Sequence, residues 1–161
     1  IIRINPLSTP EGKADLQLVL SCRPNAVLLP KVEQPADIND VADLLAEADA
    51  PEALKIWAMI ETPLGVLNAA SIADAAHTPD ARLAAFVIGL NDLRKETRVP
   101  ALTDRMYLVP WLMQVVLAAR AHDCEHGLTL SKCLCPVRIA GPGGRAQLGE
   151  SRPFVNAARG R

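Results

Sequence analysis

Two carboxylates follow two consecutive apolar segments of the chain. Glu61 comes directly after the run 56–60 (Ile-Trp-Ala-Met-Ile), and Asp92 follows the run 86–90. A carboxylate at the end of a buried strand costs desolvation free energy unless a cation compensates its charge. Two such groups on neighbouring parallel strands would lie at the same edge of a sheet and could hold a hard divalent ion such as Mg²⁺. Glu61 and Asp92 are therefore candidate metal ligands.

Helix capping is the alternative role for both carboxylates. Asp92 could cap whatever element follows it. Glu61 precedes Thr62 and Pro63, where Thr62 is the better cap and proline suits the first helical position. On spacing alone both interpretations stay open, although capping leaves Glu61 without a role.

Other strand ends also carry polar residues. Arg3 and Asn5 belong to the first strand, Lys31 and Glu33 follow the second, and Asn91 precedes the second candidate ligand. Loops at the carboxyl ends of parallel strands converge on one mouth, where α/β proteins keep their binding sites. A basic, basic, acidic, acidic series over successive strands suggests a metal beside an anionic substrate. A solvated rim with salt bridges is the alternative.

The elements that would position these residues alternate along the chain up to about residue 121. Short apolar strands are predicted at 1–4, 26–29, 55–60 and 84–88, each followed by a polar segment or a helical pattern. This alternation favours βα units and a parallel sheet, an α/β fold. Helices are predicted to begin after Thr9, near Pro35 and after Thr62, and a last helix is predicted over about 107–121.

Composition limits the function classes. The 161 residues are half apolar with a net charge of -1, which suits one globular core and gives no reason to expect a nucleic-acid or membrane partner. No apolar run approaches the roughly 18 residues of a membrane span, and four scattered cysteines favour reduced thiols, so we expect a cytoplasmic protein. The sequence contains no dinucleotide-binding glycine motif, P-loop or Gly-x-Ser-x-Gly, which leaves the chemistries of those motifs without support.

The pattern changes near residue 122. The segment 122–161 holds six of the nine glycines and an excess of basic residues, with neither a strand pattern nor a helical stripe. We predict two parts: an α/β domain over 1–121 and an irregular, basic, Gly/Arg-rich tail over 122–161 that is disordered or only loosely docked. The pairs Cys124-x-His126 and Cys133-x-Cys135 lack the usual gap between zinc ligands. A tail that binds nucleic acid is a further alternative, with only Phe154 as a stacking residue.

Four segments, taken in order, resemble the citrate lyase beta-subunit family, the citryl-CoA and malyl-CoA lyases of the HpcH/HpaI aldolase superfamily. They cover about residues 1–121. The segments are Ile2-Arg3-Ile4-Asn5, Leu29-Pro30-Lys31-Val32-Glu33, Met59-Ile60-Glu61-Thr62-Pro63-Leu64-Gly65-Val66 and Gly89-Leu90-Asn91-Asp92-Leu93.

The resemblance implies a TIM barrel, of which this chain would hold about strands three to six, and an oligomeric enzyme. It implies Mg²⁺ bound by Glu61 and Asp92, and a catalytic Arg3 that contacts the substrate carbonyl or carboxylate. Arg3, Asn5, Lys31 and Asn91 are the expected substrate-binding residues. The expected substrates are a short acyl-CoA and a 2-oxo acid. The implied activity is Mg²⁺-dependent carbon-carbon cleavage or formation through an enolate of a hydroxyacyl-CoA such as citryl-CoA or malyl-CoA.

Two alternatives to lyase activity stay open. Some relatives hydrolyse the CoA thioester instead. By this resemblance, we expect the chain to begin at the third strand of the family barrel and to depart from the family pattern after Ala121. It could therefore be a non-catalytic fragment, or a subunit that only docks with a related chain. A half-closed barrel would expose sheet edges and an apolar face, so we expect poor stability in isolation, aggregation, or pairing with another copy.

Overall fold

The computed structural model describes residues 1–78, 80–100 and 106–122. Across these ranges the chain alternates strands and helices, as the sequence predicts. In chain order the elements are β1 (Ile2–Arg3), α1 (Pro10–Cys22), β2 (Ala26–Leu29), α2 (Pro35–Glu47), β3 (Lys55–Ile60), α3 (Pro63–Leu67), α4 (Ala69–Asp74), a 3-10 turn (Ala75–His77), β4 (Leu83–Ile88), α5 (Leu90–Thr97) and α6 (Val109–Ala121).

The four strands form one parallel sheet in the order β1-β2-β3-β4. Arg3 of β1 lies opposite Leu28 of β2, which in turn lies opposite Trp57 of β3. The predicted α/β fold with a parallel sheet is confirmed. Because all four strands run the same way, every residue that follows a strand reaches the same edge of the sheet.

Both faces of the sheet are apolar. One face packs against the helices in the main core, where Phe86, Ile56, Val27 and Leu45 are essentially inaccessible. The opposite face carries a smaller cluster of Leu28, Met59 and Val87 beside Trp57. Burial on both faces is typical of parallel sheets and explains why the strands read as continuous apolar runs and do not alternate with polar residues.

Two helices begin as their sequences predict. The Thr9 hydroxyl accepts a hydrogen bond from the N–H of Gly12 at 3.1 Å, and Pro10 is the first residue of α1. The Thr62 hydroxyl accepts one from the N–H of Gly65, also at 3.1 Å, and Pro63 opens α3. Thr62 therefore supplies the cap that the sequence assigns to it, and Glu61 is left free for another role.

Some boundaries differ from the sequence prediction. The helix after Thr62 is two short helices separated at Asn68, whose Nδ2 donates to the carbonyl of Glu33 at 2.8 Å. The α5 helix was not predicted from the sequence, because its residues are largely polar and only Leu93 is buried. The predicted start of α6 was two residues too early. Of the predicted tail, only His122 lies within the described residues. No helix in the described ranges is long and apolar enough to cross a membrane.

Candidate metal and substrate site

Glu61 is a buried carboxylate at the carboxyl edge of the sheet. It follows β3 directly, and its relative exposure is 3%. The backbone N–H of Lys31, in the turn after β2, donates to Glu61 Oε1 at 3.1 Å. Lys31 adopts a left-handed φ of 51°, which is uncommon outside glycine. The two turns after β2 and β3 are therefore joined through the Glu61 side chain.

The absence of a side chain at Gly89 leaves the space that the Glu61 side chain occupies. Gly89 follows β4, and its N–H donates to the carbonyl of Ile60 at 3.0 Å. A Cβ at position 89 would lie 2.5 Å from both Cβ and Oε2 of Glu61. Only glycine allows this close approach. The sequence analysis did not select Gly89, although a glycine between a strand and the first turn of the following helix is a recognisable signal.

Asp92 shares the site with Glu61. It lies in the first turn of α5, where Gly89 is the N-cap, so Asp92 is not the cap that one interpretation of the sequence allowed. Its negative charge helps to raise the pKa of the Glu61 carboxyl group. Neighbouring carboxylates repel each other when both are ionised, so a proton or a cation would stabilise the pair.

Burial is the main reason that the pKa of Glu61 lies above its ordinary value. The negative charge of Asp92 and its hydrogen bond raise this pKa further, while the Lys31 N–H and the charge of Arg3 lower it. The remaining positive groups are peripheral. Lys95 Nζ lies 3.6 Å from Asp92 Oδ1, but its side chain is 77% exposed. Among the described residues, no lysine or arginine is buried beside Glu61 to balance its charge.

This donor set suits Mg²⁺. That ion prefers oxygen ligands, keeps several waters, and is typically bound by one or two carboxylates together with the substrate. Glu61 and Asp92 provide such a pair from two neighbouring strand ends. The buried, hydrogen-bonded position of Glu61 fixes one ligand before any ion arrives.

Arg3 is the cation that faces this pair from β1. Its side chain is exposed, and its charge acts on the Glu61 carboxylate. None of the ion pairs among the described residues involves Arg3. Lys31, by contrast, directs its side chain to Glu96, with Nζ 3.7 Å from Oε1. Arg3 is thus placed to meet an anionic group beside the two carboxylates.

The other predicted substrate-binding residues lie around the same edge. The Asn5 backbone N–H and Nδ2 both donate to Asp15 Oδ2, at 2.9 and 2.8 Å, so this side chain holds the loop after β1 against α1. Asn91 is exposed in the first turn of α5. Beside the site lies an open groove of about 590 Å³, lined by Ile4, Asn5, Pro6, Leu7, Ser8, Leu29, Pro30, Lys31, Val32, Glu33, Asp37, Asp40, Val41, Thr62 and Glu96.

Comparison with known proteins agrees with this architecture. The chain is 42% identical over 130 residues to a (3S)-malyl-CoA thioesterase of Cereibacter sphaeroides, covering 81% of this chain and 40% of that protein. A solved structure of the Mycobacterium tuberculosis citrate lyase beta subunit, complexed with oxaloacetate and magnesium, matches with a TM-score of 0.60 and 25% identity over 74% of this chain and 49% of that one. A second structure, of CitE from the same organism with magnesium, acetoacetate and coenzyme A, also matches with a TM-score of 0.60 and 25% identity, over 74% and 41% of the two chains.

The parallel four-stranded α/β sheet matches part of a TIM-barrel-like fold. The family model of the HpcH/HpaI aldolase/citrate lyase family matches residues 1–131, and the chain belongs to that family. It spans about 40% of the length of the curated thioesterases it matches. The predicted resemblance is confirmed, whereas the individual site residues remain predictions.

Proposed function

We propose that this chain supplies the Mg²⁺ site of an enzyme that cleaves a short hydroxyacyl-CoA of the malyl-CoA or citryl-CoA type. The observation that carries the proposal is the buried carboxylate of Glu61 at the carboxyl edge of the sheet, on which the charge of Asp92 acts. The magnesium in the related M. tuberculosis structures supports it.

Each site residue has a distinct role in this proposal. Glu61 and Asp92 would hold Mg²⁺, which when bound acts as a Lewis acid toward a substrate oxygen. The Lys31 amide keeps Glu61 oriented. Arg3 binds the substrate carboxylate or the carbonyl oxygen on which negative charge develops, and a fixed cation there lowers the barrier electrostatically. Asn5, Asn91 and the Lys31 side chain contact the remainder of the substrate.

Two reactions are compatible with these roles. In carbon-carbon cleavage, the bond between the hydroxyl-bearing carbon and the carbon next to the thioester breaks, so malyl-CoA would give glyoxylate and acetyl-CoA. In thioester hydrolysis, water adds to the thioester carbonyl, the carbon-sulfur bond breaks, and malate and free CoA result. The sequence analysis put the lyase first. The 42% identity to a malyl-CoA thioesterase supports hydrolysis as the second candidate.

The partners follow from the same proposal. Acyl-CoA and a 2-oxo acid would be the small-molecule ligands, a proposal supported by the oxaloacetate and the coenzyme A in the related M. tuberculosis complexes. We propose a homo-oligomer, or pairing with a related subunit that completes the barrel. The cytoplasmic location stays a prediction. If the chain only docks with such a subunit, Mg²⁺ and 2-oxo acid would not bind to it alone.

Metal binding tests the proposal most directly. Mn²⁺ can replace Mg²⁺ at oxygen sites and is followed by electron paramagnetic resonance. We expect the 161-residue chain to bind Mn²⁺, Mg²⁺ to compete for it, and Glu61→Gln or Asp92→Asn to weaken binding at least about tenfold. Asp40→Asn is the matched control, because Asp40 is an exposed carboxylate that lines the adjoining groove. Unchanged affinity in both site variants would refute the metal site.

Product analysis then separates the two reactions. The chain is incubated with malyl-CoA and Mg²⁺, and the CoA species are resolved by chromatography. Acetyl-CoA with glyoxylate identifies the lyase, whereas free CoA with malate identifies the thioesterase. Absence of both Mn²⁺ binding and turnover would identify the non-catalytic alternative.

A further inference from the structure

A second group of metal-ligating side chains lies away from the site described above. It consists of Asp74 at the end of α4, His77 in the 3-10 turn, and His122 directly after α6. One potential ligand atom from each residue lies within 4.8 Å of those of the other two. Neither Glu61 nor Asp92 belongs to this group.

Two packed segments hold the three side chains together. Asp74 and His77 are three residues apart along continuous helical backbone, which places them on the same face. His122 reaches them from α6, which packs on α4, and both helices contribute buried residues to the main core. His122 Nδ1 lies 3.3 Å from Asp74 Oδ1, and the two imidazole centroids are 5.6 Å apart at a tilt of 41°.

A simple surface ion pair accounts for only part of this arrangement. An Asp–His pair such as Asp74 with His122 needs no third partner, and exposed pairs add little stability. It does not explain why His77 also lies within coordinating reach of both.

We propose that Asp74, His77 and His122 bind a divalent transition-metal ion of the Zn²⁺ class, with water completing the coordination. Two imidazole nitrogens and one carboxylate oxygen suit Zn²⁺ and its neighbours, whereas Mg²⁺ favours oxygen ligands alone. The ion would join the end of α6 to the end of α4. It would therefore stabilise the packing of the two helices.

This site is separate from the Glu61 site in position as well as chemistry. Asp74 and His77 precede β4 and lie toward its amino end, whereas Glu61 and Asp92 lie at the carboxyl edge. A six-residue strand such as β4 spans about 20 Å. Loss of one metal site should leave the other intact, so the failure of one proposal is distinguishable from the failure of the other.

Co²⁺ spectroscopy on the full chain tests the proposal. Co²⁺ replaces Zn²⁺ and gives visible d–d absorption at sites of low coordination number, and it gives an additional near-ultraviolet charge-transfer band when a thiolate is a ligand. We expect d–d bands without the thiolate band, displaced by Zn²⁺ but not by excess Mg²⁺. We also expect binding of Zn²⁺ to raise the thermal midpoint of unfolding, because the ion binds the folded arrangement.

Variants assign the ligands. His77→Gln, His122→Gln and Asp74→Asn should each weaken Co²⁺ binding at least about tenfold, while Glu61→Gln leaves it unchanged. Asp43→Asn, an exposed carboxylate on α2, is the matched control. Circular dichroism checks that each variant is folded, and the three substitutions are independent, so one unfolded variant does not decide the result.

The competing ligands are the remaining histidine and the cysteines. His126→Gln and a variant with all four cysteines changed to serine should keep the d–d spectrum. Absence of d–d bands in the unmodified chain, bands that persist in both histidine variants of the cluster, or bands that disappear with the cysteines would overturn the proposal.

Discussion

Asp92, in the first turn of α5, acts on the buried carboxyl group of Glu61, which follows β3, and its negative charge adds to the effect of burial in raising the pKa of Glu61. A proton or a cation at Glu61 would relieve this unfavourable interaction. The same relationship therefore predicts both a pH dependence of stability without metal and its reversal by Mg²⁺.

Without metal, we expect the chain to lose stability as the pH rises. The pKa of Glu61 is raised in the folded protein, mainly by burial, so the folded state binds this proton more tightly than the unfolded state. Its contribution is complete below the ordinary pKa of glutamate and is lost as the pH rises through the raised value. Over that interval the free energy of unfolding should fall by up to about 1.4 kcal/mol per pH unit. Urea unfolding in the presence of a chelator measures it.

Glu61→Gln is the control for this titration. Glutamine keeps the shape of the side chain but cannot ionise, so the variant should be more stable than the unmodified chain at neutral pH without metal, and its stability should vary less with pH. Mg²⁺ at about 100 times the dissociation constant of the unmodified chain should add about 2.7 kcal/mol to that chain, and at most about 1.4 kcal/mol to the variant, whose affinity is at least about tenfold lower. A variant that shows the same pH slope as the unmodified chain would assign the titration to another group.

Gly89→Ala should disturb the site by overfilling it. The new methyl group would lie 2.5 Å from Cβ and Oε2 of Glu61, closer than van der Waals contact allows. Overpacking of this kind costs about 1–3 kcal/mol of stability. Because the carboxyl group must move, Mn²⁺ affinity should fall in the same variant. If the alanine variant kept both its stability and its Mn²⁺ affinity, the backbone at Gly89 would be able to move away from Glu61, and the prediction would be wrong.

The caps of two helices provide a matched pair of substitutions. Thr9→Ala and Thr62→Ala remove equivalent hydroxyl caps, each worth about 1 kcal/mol, and each serine variant should restore most of the loss. Only Thr62 adjoins Glu61, so Thr62→Ala alone should also weaken Mn²⁺ binding. If both alanine variants weakened Mn²⁺ binding equally, the weaker binding would reflect a loss of overall stability and not a change next to Glu61.

The fold was largely predictable from the sequence. Parallel strands buried on both faces read as short apolar runs, and the Thr-Pro starts of α1 and α3 carry a local capping signal that tertiary contacts do not alter. The α5 helix was not predictable from periodicity. A polar helix with Leu93 as its one buried residue has no apolar stripe to detect, and it is positioned by the strand that precedes it.

The site residues also include some that the sequence pattern could identify and some that it could not. Glu61 and Asp92 could be selected because each follows an apolar strand. The roles of Lys31 and Gly89 could not be predicted, because both act through the backbone. The N–H of Lys31 donates to Glu61, and Gly89 has no side chain that would collide with Glu61. The side-chain cluster around His122 joins residues distant in sequence, and its formation depends on how α6 packs on α4.

Arg3→Ala should separate substrate binding from metal binding. The Arg3 charge acts on Glu61 from β1, yet this side chain is exposed and forms none of the ion pairs among the described residues. Charge-assisted hydrogen bonds contribute about 1.5–3 kcal/mol, so oxaloacetate should bind roughly 10- to 100-fold more weakly to the Mg²⁺-loaded variant. Calorimetry measures this, with Lys13→Ala as the exposed cation control. Since removing a nearby positive charge favours a bound cation, Mn²⁺ affinity should stay equal or rise; a parallel loss of Mn²⁺ and oxaloacetate binding would instead make Arg3 a structural residue of the site.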